Sequence, residues 1–293
     1  GLPGLTVDRY AGVLAAQVMS FGMEQIKPML YGLLASELAA RGEAVLGVYE
    51  RNDVALRGLE GLSQGKGWYE GIPHGDKTTI RISENGVLYD VDFENGQKTG
   101  FFLDQKFNRL AVARISRGKK VLDCFTHTGS FALNAALGEA SHVTAADVSQ
   151  TALEAAAANA RLNGAEDKID FVLADVFDLL AELAESKKNP YDLIVLDPPA
   201  FTKSRATVSG AERGYRQINA LAMRLLPRGG YLATCSCSHF MGSELFEDML
   251  KKAARDAGVQ LRQVEARKQA SDHPILWNVP ETDYLKFYIF QVI

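Results

Sequence analysis

After about residue 100 the chain alternates short apolar runs with helical patterns, and this alternation constrains its fold more than any other feature. The apolar runs are Lys120–Cys124, His142–Ala146, Ile169–Leu173, Leu193–Leu196 and Tyr231–Thr234. The helical patterns between them are Ser130–Leu137, Gln150–Leu162, Val176–Ala184 and Ala211–Leu226. This repetition predicts a doubly wound parallel α/β sheet of Rossmann-like type, with helices on both faces. Leu261–Val264 and Leu285–Phe290 are candidates for antiparallel closing strands.

The first hundred residues follow a different pattern. A helical stretch at Met23–Ala40 lies between the β-type runs Val13–Met19 and Ala44–Tyr49. Two further runs, Thr78–Ser83 and Val87–Phe93, are joined by Glu84-Asn85-Gly86, which is typical of a hairpin turn. We therefore expect a small α+β domain over residues 1–97 and a larger domain over 98–293.

Composition limits the class of protein. The chain has 32 basic and 36 acidic residues, a net charge of −4, and 47% hydrophobic residues. This excludes a disordered protein and a uniformly basic nucleic-acid binder. No apolar run is long enough for a membrane span, and the first residues carry no leader pattern. Three cysteines favour a reducing cytoplasm over a disulfide framework, and the five histidines show no metal-ligand pattern.

Ligands of such sheets bind beyond the carboxyl ends of the strands, where this chain carries unusual residues. Asp123 precedes a loop of short side chains that leads into a helix, and the dinucleotide pattern GxGxxG is absent. A carboxylate here suits a cationic ligand, such as the amino-acid end of S-adenosylmethionine. The cofactor-binding candidates of this loop are Asp123, Phe125, Thr126, His127, Thr128 and Gly129.

Acidic residues also follow the next two strands. Asp147, with Val148 and Ser149, is placed to accept from both ribose hydroxyls of a cofactor, and Asp175 with Val176 suits an adenine ring. Each acid taken singly is more often a helix cap than a ligand. Three of them in register favour S-adenosylmethionine over chance capping and over NAD.

The fourth apolar run ends in Asp197-Pro198-Pro199-Ala200-Phe201. The two prolines stiffen a loop in which Asp197 can hold the edge of a base and Phe201 can stack on it. A proline-stiffened strand end without any ligand is the alternative interpretation.

The fifth run leads into Cys235-Ser236-Cys237, which sets a thiol beside the Asp197 loop. A thiolate there can attack C6 of a pyrimidine and make C5 nucleophilic. Buried, inert cysteine is the usual alternative, and strand alternation does not choose between Cys235 and Cys237. Cys124 lies within a strand and is expected in the core.

With these residues in view, the sequence resembles the 23S ribosomal RNA cytosine-C5 methyltransferases of the large-subunit methyltransferase I type, among the class I S-adenosylmethionine-dependent enzymes. The resemblance covers nearly the whole chain. The motifs that carry it are Gly1-Leu2-Pro3-Gly4-Leu5-Thr6-Val7-Asp8-Arg9-Tyr10, Lys98-Thr99-Gly100-Phe101-Phe102-Leu103-Asp104-Gln105, Asp197-Pro198-Pro199-Ala200-Phe201, Arg213-Gly214-Tyr215 with Ile218-Asn219, Ser236-Cys237-Ser238 and Asp272-His273-Pro274.

The resemblance implies an RNA-binding PUA domain ahead of a central α+β domain and a Rossmann-like catalytic domain, and this chain matches the last two. It also implies Cys237 as the nucleophile. Asp197 is expected to act beside it in catalysis and to contact the cofactor. Gln105 and Arg109 are expected to line the cofactor site. The base that removes the C5 proton is unassigned: Asp272 and His273 are candidates, and a simple turn is an equal alternative.

The expected partner is large-subunit ribosomal RNA, with a homodimer as a further expectation and with no membrane and no metal. Because the net charge is acidic, RNA contacts must be local. The residues expected to contact the substrate are Pro198, Pro199, Phe201, Lys203, Arg213 and Tyr215. Arg205 and Arg216 belong to the same basic group.

Other functions stay open at this point. Asp-Pro-Pro followed by an aromatic residue is also how amino-methylating enzymes hold a nitrogen, and that chemistry needs no thiol. A non-catalytic RNA-binding module is a further alternative. A nicotinamide oxidoreductase is less favoured, since the phosphate-binding glycines are absent.

Overall fold

A computed structural model describes residues 2–186, 190–202 and 204–293 of the chain. The chain divides into two compact units, residues 1–102 and 103–293. The second unit thus begins at Leu103, five residues after the expected position 98.

The first unit contains a four-stranded sheet in the order β1-β2-β3-β4. Its elements are β1 (Leu5–Tyr10), β2 (Val13–Val18), α1 (Phe21–Ala40), β3 (Gly47–Arg51) and β4 (Lys66–Trp68). Strands β2 and β3 are parallel, and the two outer pairs are antiparallel. Helix α1 begins after Ser20, whose hydroxyl accepts from the N–H of Met23. The sequence prediction found α1, β2 and part of β3 but missed both outer strands.

A separate hairpin completes the first unit. It consists of β5 (Thr79–Glu84) and β6 (Val87–Asp92), which pair antiparallel. Asn85 and Gly86 lie between them with φ of 55° and 81°, as a two-residue type I′ turn requires. The predicted hairpin is confirmed.

The second unit is a seven-stranded sheet in the order β12-β13-β11-β10-β7-β8-β9. Its elements are α2 (Lys106–Ile115), β7 (Lys120–Cys124), α3 (Ser130–Leu137), β8 (His142–Asp147), α4 (Gln150–Leu162), β9 (Ile169–Leu173), α5 (Val176–Glu185), β10 (Leu193–Leu196), α6 (Val208–Leu225), β11 (Tyr231–Ser236), α7 (Ser243–Ala257), β12 (Leu261–Arg267) and β13 (Lys286–Val292). The strands from β9 to β11 are parallel, whereas β13 and β12 close the sheet antiparallel. The Rossmann-like prediction and the closing strands are confirmed.

Helices α2 and α7 were not anticipated. In α7 the buried residues Phe246, Met249, Leu250 and Ala253 follow the 3–4 spacing of an amphipathic helix, so the signal was present in the sequence. Helix α6 packs against α5 and α7, and α3 packs against α2. The central strand β10 is completely buried, which explains its unbroken apolar sequence.

Strand register brings the carboxyl ends together. Leu196 of β10 pairs with Cys124 of β7 on one side and with Thr234 of β11 on the other. Because β13 runs in the opposite direction, its first residue, Lys286, pairs with Ser236 at the end of β11. The first residue of β13 therefore lies at the same edge of the sheet, the one formed by the carboxyl ends of the parallel strands. The residues that follow β7, β8, β9, β10 and β11 lie at this edge too.

Candidate active site

Asp123 anchors the loop that follows β7. Its Oδ2 accepts hydrogen bonds from the Thr126 hydroxyl at 2.5 Å and from the N–H of Ala132 at 2.9 Å. Ala132 lies in the first turn of α3, so the carboxylate ties the strand, the loop and the helix N-terminus together.

The backbone of this loop is strained. Phe125 and His127 have φ of 62° and 50°, a region that residues other than glycine seldom adopt. Gly129 has φ of 79°, and a Cβ on it would lie 3.0 Å from Cβ of Ala156 in α4. Glycine is needed there both for its backbone conformation and for the close approach of α4. Such concentrated strain is typical of ligand-binding loops.

Asp147, at the end of β8, holds the same loop from the other side. Its two oxygens accept N–H hydrogen bonds from His127 at 2.8 Å and from Ser149 at 2.9 Å. Ser149 in turn caps α4 through the N–H of Ala152. Val148 between them is 72% exposed. The structure thus brings the predicted residues after β7 and β8 into one cluster.

Asp175 acts as a helix cap, which is one of the two interpretations of its position in the sequence. It is the N-cap of α5, and its carboxylate accepts from the N–H of Phe177 at 2.7 Å. The residue is exposed, so its outer side remains accessible. Val176 is buried in the core beside α6, which leaves only its backbone as a ligand contact.

Two buried oxygen atoms of this cluster lack a hydrogen-bond partner within the described part of the chain: Oδ1 of Asp123 and Oγ1 of Thr128. Burial raises the pKa of Asp123 to about 7, against hydrogen bonds from Thr126 and Ala132 that lower it. A cationic group beside Oδ1 would satisfy that oxygen and favour the ionised carboxylate. The arrangement fits the ammonium group of the expected cofactor.

Asp197 follows β10 and receives a hydrogen bond from Nε2 of Gln105 at 3.0 Å. Gln105 is buried, and its Oε1 accepts from the side-chain amide of Asn108 at 2.6 Å. Burial, followed by the charge of Asp104, raises the pKa of Asp197 to about 6, while Arg109 and the hydrogen bonds lower it. At neutral pH this carboxyl group can therefore hold or release a proton.

Phe201 lies at the centre of an aromatic group. Its ring centroid is 4.6 Å from that of Tyr215, 5.8 Å from that of Phe177 and 6.4 Å from that of Phe125. Phe201 is only partly buried, and the preceding Pro199 is exposed whereas Pro198 is not. The four rings form an apolar wall beside the Asp197 loop.

The thiols differ in a way that sequence periodicity could not show. Strand β11 ends at Ser236, so Cys235 lies inside it, completely buried, and Cys237 lies beyond it, partly exposed. Burial raises the pKa of the Cys235 thiol, which hydrogen-bonds the carboxylate of Asp197. Cys124 is buried in the core as expected. Exposure therefore favours Cys237 as the reactive thiol.

Tyr215 of α6 is the neighbour of Cys237. Its buried hydroxyl accepts a hydrogen bond from Oγ of Ser236 at 3.1 Å. Burial, and then the charge of the Cys237 thiolate, raise the pKa of Tyr215, so the phenol stays neutral. A neutral phenol at this position can donate a hydrogen bond without adding negative charge.

The basic residues near α6 divide into two kinds. Arg216 forms a bidentate ion pair with Asp256, at 2.5 and 2.7 Å, whereas Arg213 is exposed and has no such partner among the described residues. Arg109 is buried in α2. The expectation for Lys203 falls outside the described residues.

The sequence analysis did not single out Lys286, which is 3% exposed. Its Nζ donates to the carbonyl oxygens of Ser238 at 2.6 Å and Tyr284 at 2.8 Å. A lysine within the apolar run Leu285–Phe290 breaks the pattern of a buried strand, and that break was the available signal.

Asp272 and His273 lie in a turn. Their side chains contact each other at 2.9 Å, and the N–H of His273 donates to the carbonyl of Ala270. Within the described ranges, no set of three histidine, cysteine or acidic residues is arranged to hold a metal ion, and no helix has the length and apolarity to cross a membrane.

Comparison with known proteins gives consistent results. A family profile for S-adenosylmethionine-dependent methyltransferases matches residues 63–290. The chain is 45% identical over 289 residues to ribosomal RNA large subunit methyltransferase I of Aeromonas salmonicida, a match that covers 98% of this chain and 70% of that protein. The protein of the same name from Pseudoalteromonas translucida is 43% identical over 292 residues, with 99% and 72% covered.

Solved structures agree on the fold. A structure assigned as an S-adenosylmethionine-dependent methyltransferase from Streptococcus mutans matches with a TM-score of 0.81 and 23% identity, covering 99% of this chain and 71% of that one. A second crystal structure, of a protein assigned as a methyltransferase and bound to S-adenosylhomocysteine, matches with the same TM-score of 0.81. The chain therefore belongs to the S-adenosylmethionine-dependent methyltransferases, with S-adenosylmethionine as its methyl donor, and within them to the ribosomal RNA large subunit methyltransferase I family.

Proposed function

We propose that the protein methylates carbon 5 of a cytosine in large-subunit ribosomal RNA through a covalent bond between Cys237 and C6 of the base. The single observation that carries this proposal is the position of Cys237, partly exposed just beyond β11 and beside the Asp197 loop. The names of the relatives, ribosomal RNA large subunit methyltransferase I, support ribosomal RNA as the substrate. The three thiols, none of them in a disulfide, fit a reducing compartment such as the cytoplasm.

The cofactor fits the cluster at the ends of β7, β8 and β9. Asp123 and Thr128 have unsatisfied oxygens that suit its ammonium group, and Asp147 and Asp175 are proposed to contact the ribose and the adenine. The loop from Phe125 to Gly129 brings backbone groups close to the ligand. When bound, S-adenosylmethionine supplies a methyl group on a positively charged sulfur.

Asp197 is proposed to hold the polar edge of the cytosine. Its carboxyl group has a pKa near 6, so it can donate a proton to N3 while its other oxygen accepts from the exocyclic amine. Gln105 fixes the orientation of this group through its 3.0 Å hydrogen bond. Phe201, which is only partly buried, supplies a face for the extruded base, and the buried ring of Tyr215 packs against it.

The covalent step balances as follows. The Cys237 thiolate forms a bond to C6, the C5–C6 π electrons move towards C4 and N3, and N3 takes a proton from Asp197. C5 becomes a nucleophilic carbon. After methylation the C5 proton leaves to a base, its electron pair restores the C5–C6 double bond, the C6–S bond breaks, and N3 returns its proton to Asp197.

The test is a pair of variants, Cys237→Ala and Cys235→Ser, assayed on large-subunit ribosomal RNA that lacks the modification. We expect Cys237→Ala to abolish 5-methylcytidine, measured by mass spectrometry of digested RNA, and Cys235→Ser, which keeps a hydrogen-bond donor beside Asp197, to retain it. RNA carrying 5-fluorocytidine should form a covalent adduct with the wild type and none with Cys237→Ala, because fluorine at C5 blocks the elimination that releases the thiol.

One observation favours a second function. The Asp197-Pro198-Pro199 loop beside Phe201 could also hold an exocyclic amine for direct methylation, which needs no thiol. Near-normal methyl transfer by Cys237→Ala, with the methyl group on an exocyclic nitrogen, would support that function and reject the covalent mechanism.

A further inference from the structure

Lys286 is a buried cation at the catalytic edge of the sheet. It opens β13, pairs in register with Ser236 of β11 and is 3% exposed. Its Nζ donates to the carbonyl oxygens of Ser238 and Tyr284 at 2.6 and 2.8 Å. An ammonium group has three N–H donors, so these two carbonyls leave one unaccounted for.

The charge of this lysine is not balanced by an acidic partner. Within the part of the chain that the structure describes, no carboxylate lies within ion-pair distance of Nζ. Asp283, which is near in sequence, binds Lys268 at 2.5 Å instead. A cation buried without a counterion is costly, so an anion nearby would stabilise it.

The anion that the geometry offers is the thiolate of Cys237. Cys237 lies between Ser236, which pairs with Lys286, and Ser238, whose carbonyl Lys286 holds. The two side chains interact electrostatically, and the interaction favours the charged lysine. Burial lowers the pKa of Lys286 to about 8, and the Cys237 thiolate opposes that fall.

We propose that Lys286 is a positioning residue for methyl transfer, which fixes the Cys237 loop through the Ser238 carbonyl and stabilises the Cys237 thiolate with its ammonium charge. The thiol S–H bond breaks, the electron pair stays on sulfur, and the proton passes to solvent water, which reaches the partly exposed Cys237. The inference rests on the proposed function, because it concerns the same nucleophile.

Several other groups act on this pair. Tyr215 of α6 and Cys235 of β11 interact with the Cys237 thiolate, and both have raised pKa values, so they remain neutral beside it. Asp283 favours the charged form of Lys286, and Lys268 opposes it. These last two form an ion pair with each other. Lys286 is the lysine of β13 that interacts electrostatically with the Cys237 thiolate.

The experiment measures the ionisation of Cys237 without RNA, so its result does not depend on which base is methylated. The whole chain is treated with iodoacetamide between pH 5.5 and 9.5, and alkylation of the peptide that contains Cys237 is followed by mass spectrometry. We expect the half-maximal pH to rise by about one unit in Lys286→Met. Lys286→Arg, which keeps the charge, should stay close to the wild type.

The matched control is Lys120→Met. It removes a lysine from the amino end of β7, at the opposite end of the parallel strands, and should leave the pH profile of Cys237 alkylation unchanged. An unchanged profile in a folded Lys286→Met variant would overturn the inference. If Lys286→Met does not fold, the reciprocal measurement decides. By linkage, the Lys286 titration, followed by NMR of a labelled side chain, must move to lower pH in Cys237→Ala; no movement also overturns the inference.

The two proposals fail in different ways. If Lys286→Met does not shift the alkylation profile but Cys237 is still essential for methyl transfer, only the role of Lys286 is rejected. Retention of methyl transfer in Cys237→Ala rejects the covalent mechanism, whatever the alkylation profile shows.

Discussion

The side-chain amide of Gln105 donates to Oδ1 of Asp197 across 3.0 Å and thereby joins the segment before α2 to the end of the central strand β10. The two residues are 92 positions apart in the chain. The same amide accepts a hydrogen bond from Asn108, so its orientation is fixed on both sides. Asp197 is thus held by the second unit at two points, its own strand and the α2 segment.

Replacing Gln105 by Met removes this donor at similar volume. Because the hydrogen bond favours the ionised carboxylate, its loss should raise the pKa of Asp197 above about 6. The limb of the pH–rate profile that follows Asp197 should then move to higher pH, and kcat should fall by about tenfold as the carboxyl group loses its orientation. The measurement is kcat/KM for RNA between pH 5 and 9. An unmoved limb would mean that this carboxyl group does not control the rate.

Binding of S-adenosylmethionine should release protons near pH 6.5. The pKa of Asp123 is raised to about 7 in the protein alone, so its carboxyl group is largely protonated at that pH. A bound ammonium group favours the ionised form and lowers this pKa, hence a proton leaves on binding. Calorimetry in two buffers of different ionisation enthalpy measures the number released. The Asp123→Asn variant should show weaker binding and no such release, and equal release from both proteins would contradict the assignment of Asp123.

Gly129→Ala should lower the free energy of unfolding by more than its unfavourable backbone conformation alone explains. The substitution places a methyl group at φ of 79° and 3.0 Å from Cβ of Ala156. Gly164→Ala is the matched control, since Gly164 has φ of 61° with open space around it. Each change carries a backbone penalty of about 1–2 kcal/mol, and Gly129→Ala adds a packing clash of about 1 kcal/mol or more. Urea unfolding measures the difference. S-adenosylmethionine affinity should fall only in Gly129→Ala; a loss in both variants would point to general destabilisation.

The two arginines of α6 should differ in their effect on RNA binding. Arg213 is exposed without an acidic partner among the described residues, while Arg216 is held by Asp256. We expect Arg213→Ala to weaken RNA binding and to reduce the slope of log K against log salt concentration by about 0.7–0.9, as for one lost phosphate contact. Arg216→Ala should leave the slope unchanged. Filter binding over a range of salt concentrations tests this, and equal slopes for Arg213→Ala and the wild type would exclude a phosphate contact.

Much of the second unit could be predicted from sequence because its signals are local. A strand such as Leu193–Leu196, buried on both faces, must be apolar throughout. An acid lies at or just beyond the carboxyl end of β7, β8, β9 and β10, which helps to mark where each strand ends. The outer strands of the first unit escaped prediction for the opposite reason. In β1 the exposed and half-buried residues mix polar and apolar types, so no clear alternation is visible.

The site was less predictable because its decisive features are three-dimensional. Alternation could not separate Cys235 from Cys237, since the difference lies in where β11 ends. Asp175 shows a second ambiguity: its carboxylate caps α5, and a cap and a ligand look alike in sequence. The contact between Gln105 and Asp197 was not readable from spacing, although Gln105 was expected to line the site through family resemblance.

The reversed direction of β13 has a practical consequence. This strand meets the reactive edge at Lys286 and runs away from it, so Val292 lies at the far side of the sheet, paired with Leu261. A fluorophore or an affinity sequence attached beyond Val292 would therefore lie far from the proposed base-binding site and leave turnover intact. The same attachment at Tyr284, whose carbonyl shares Lys286 with that of Ser238, would lie close to Cys237, the proposed nucleophile.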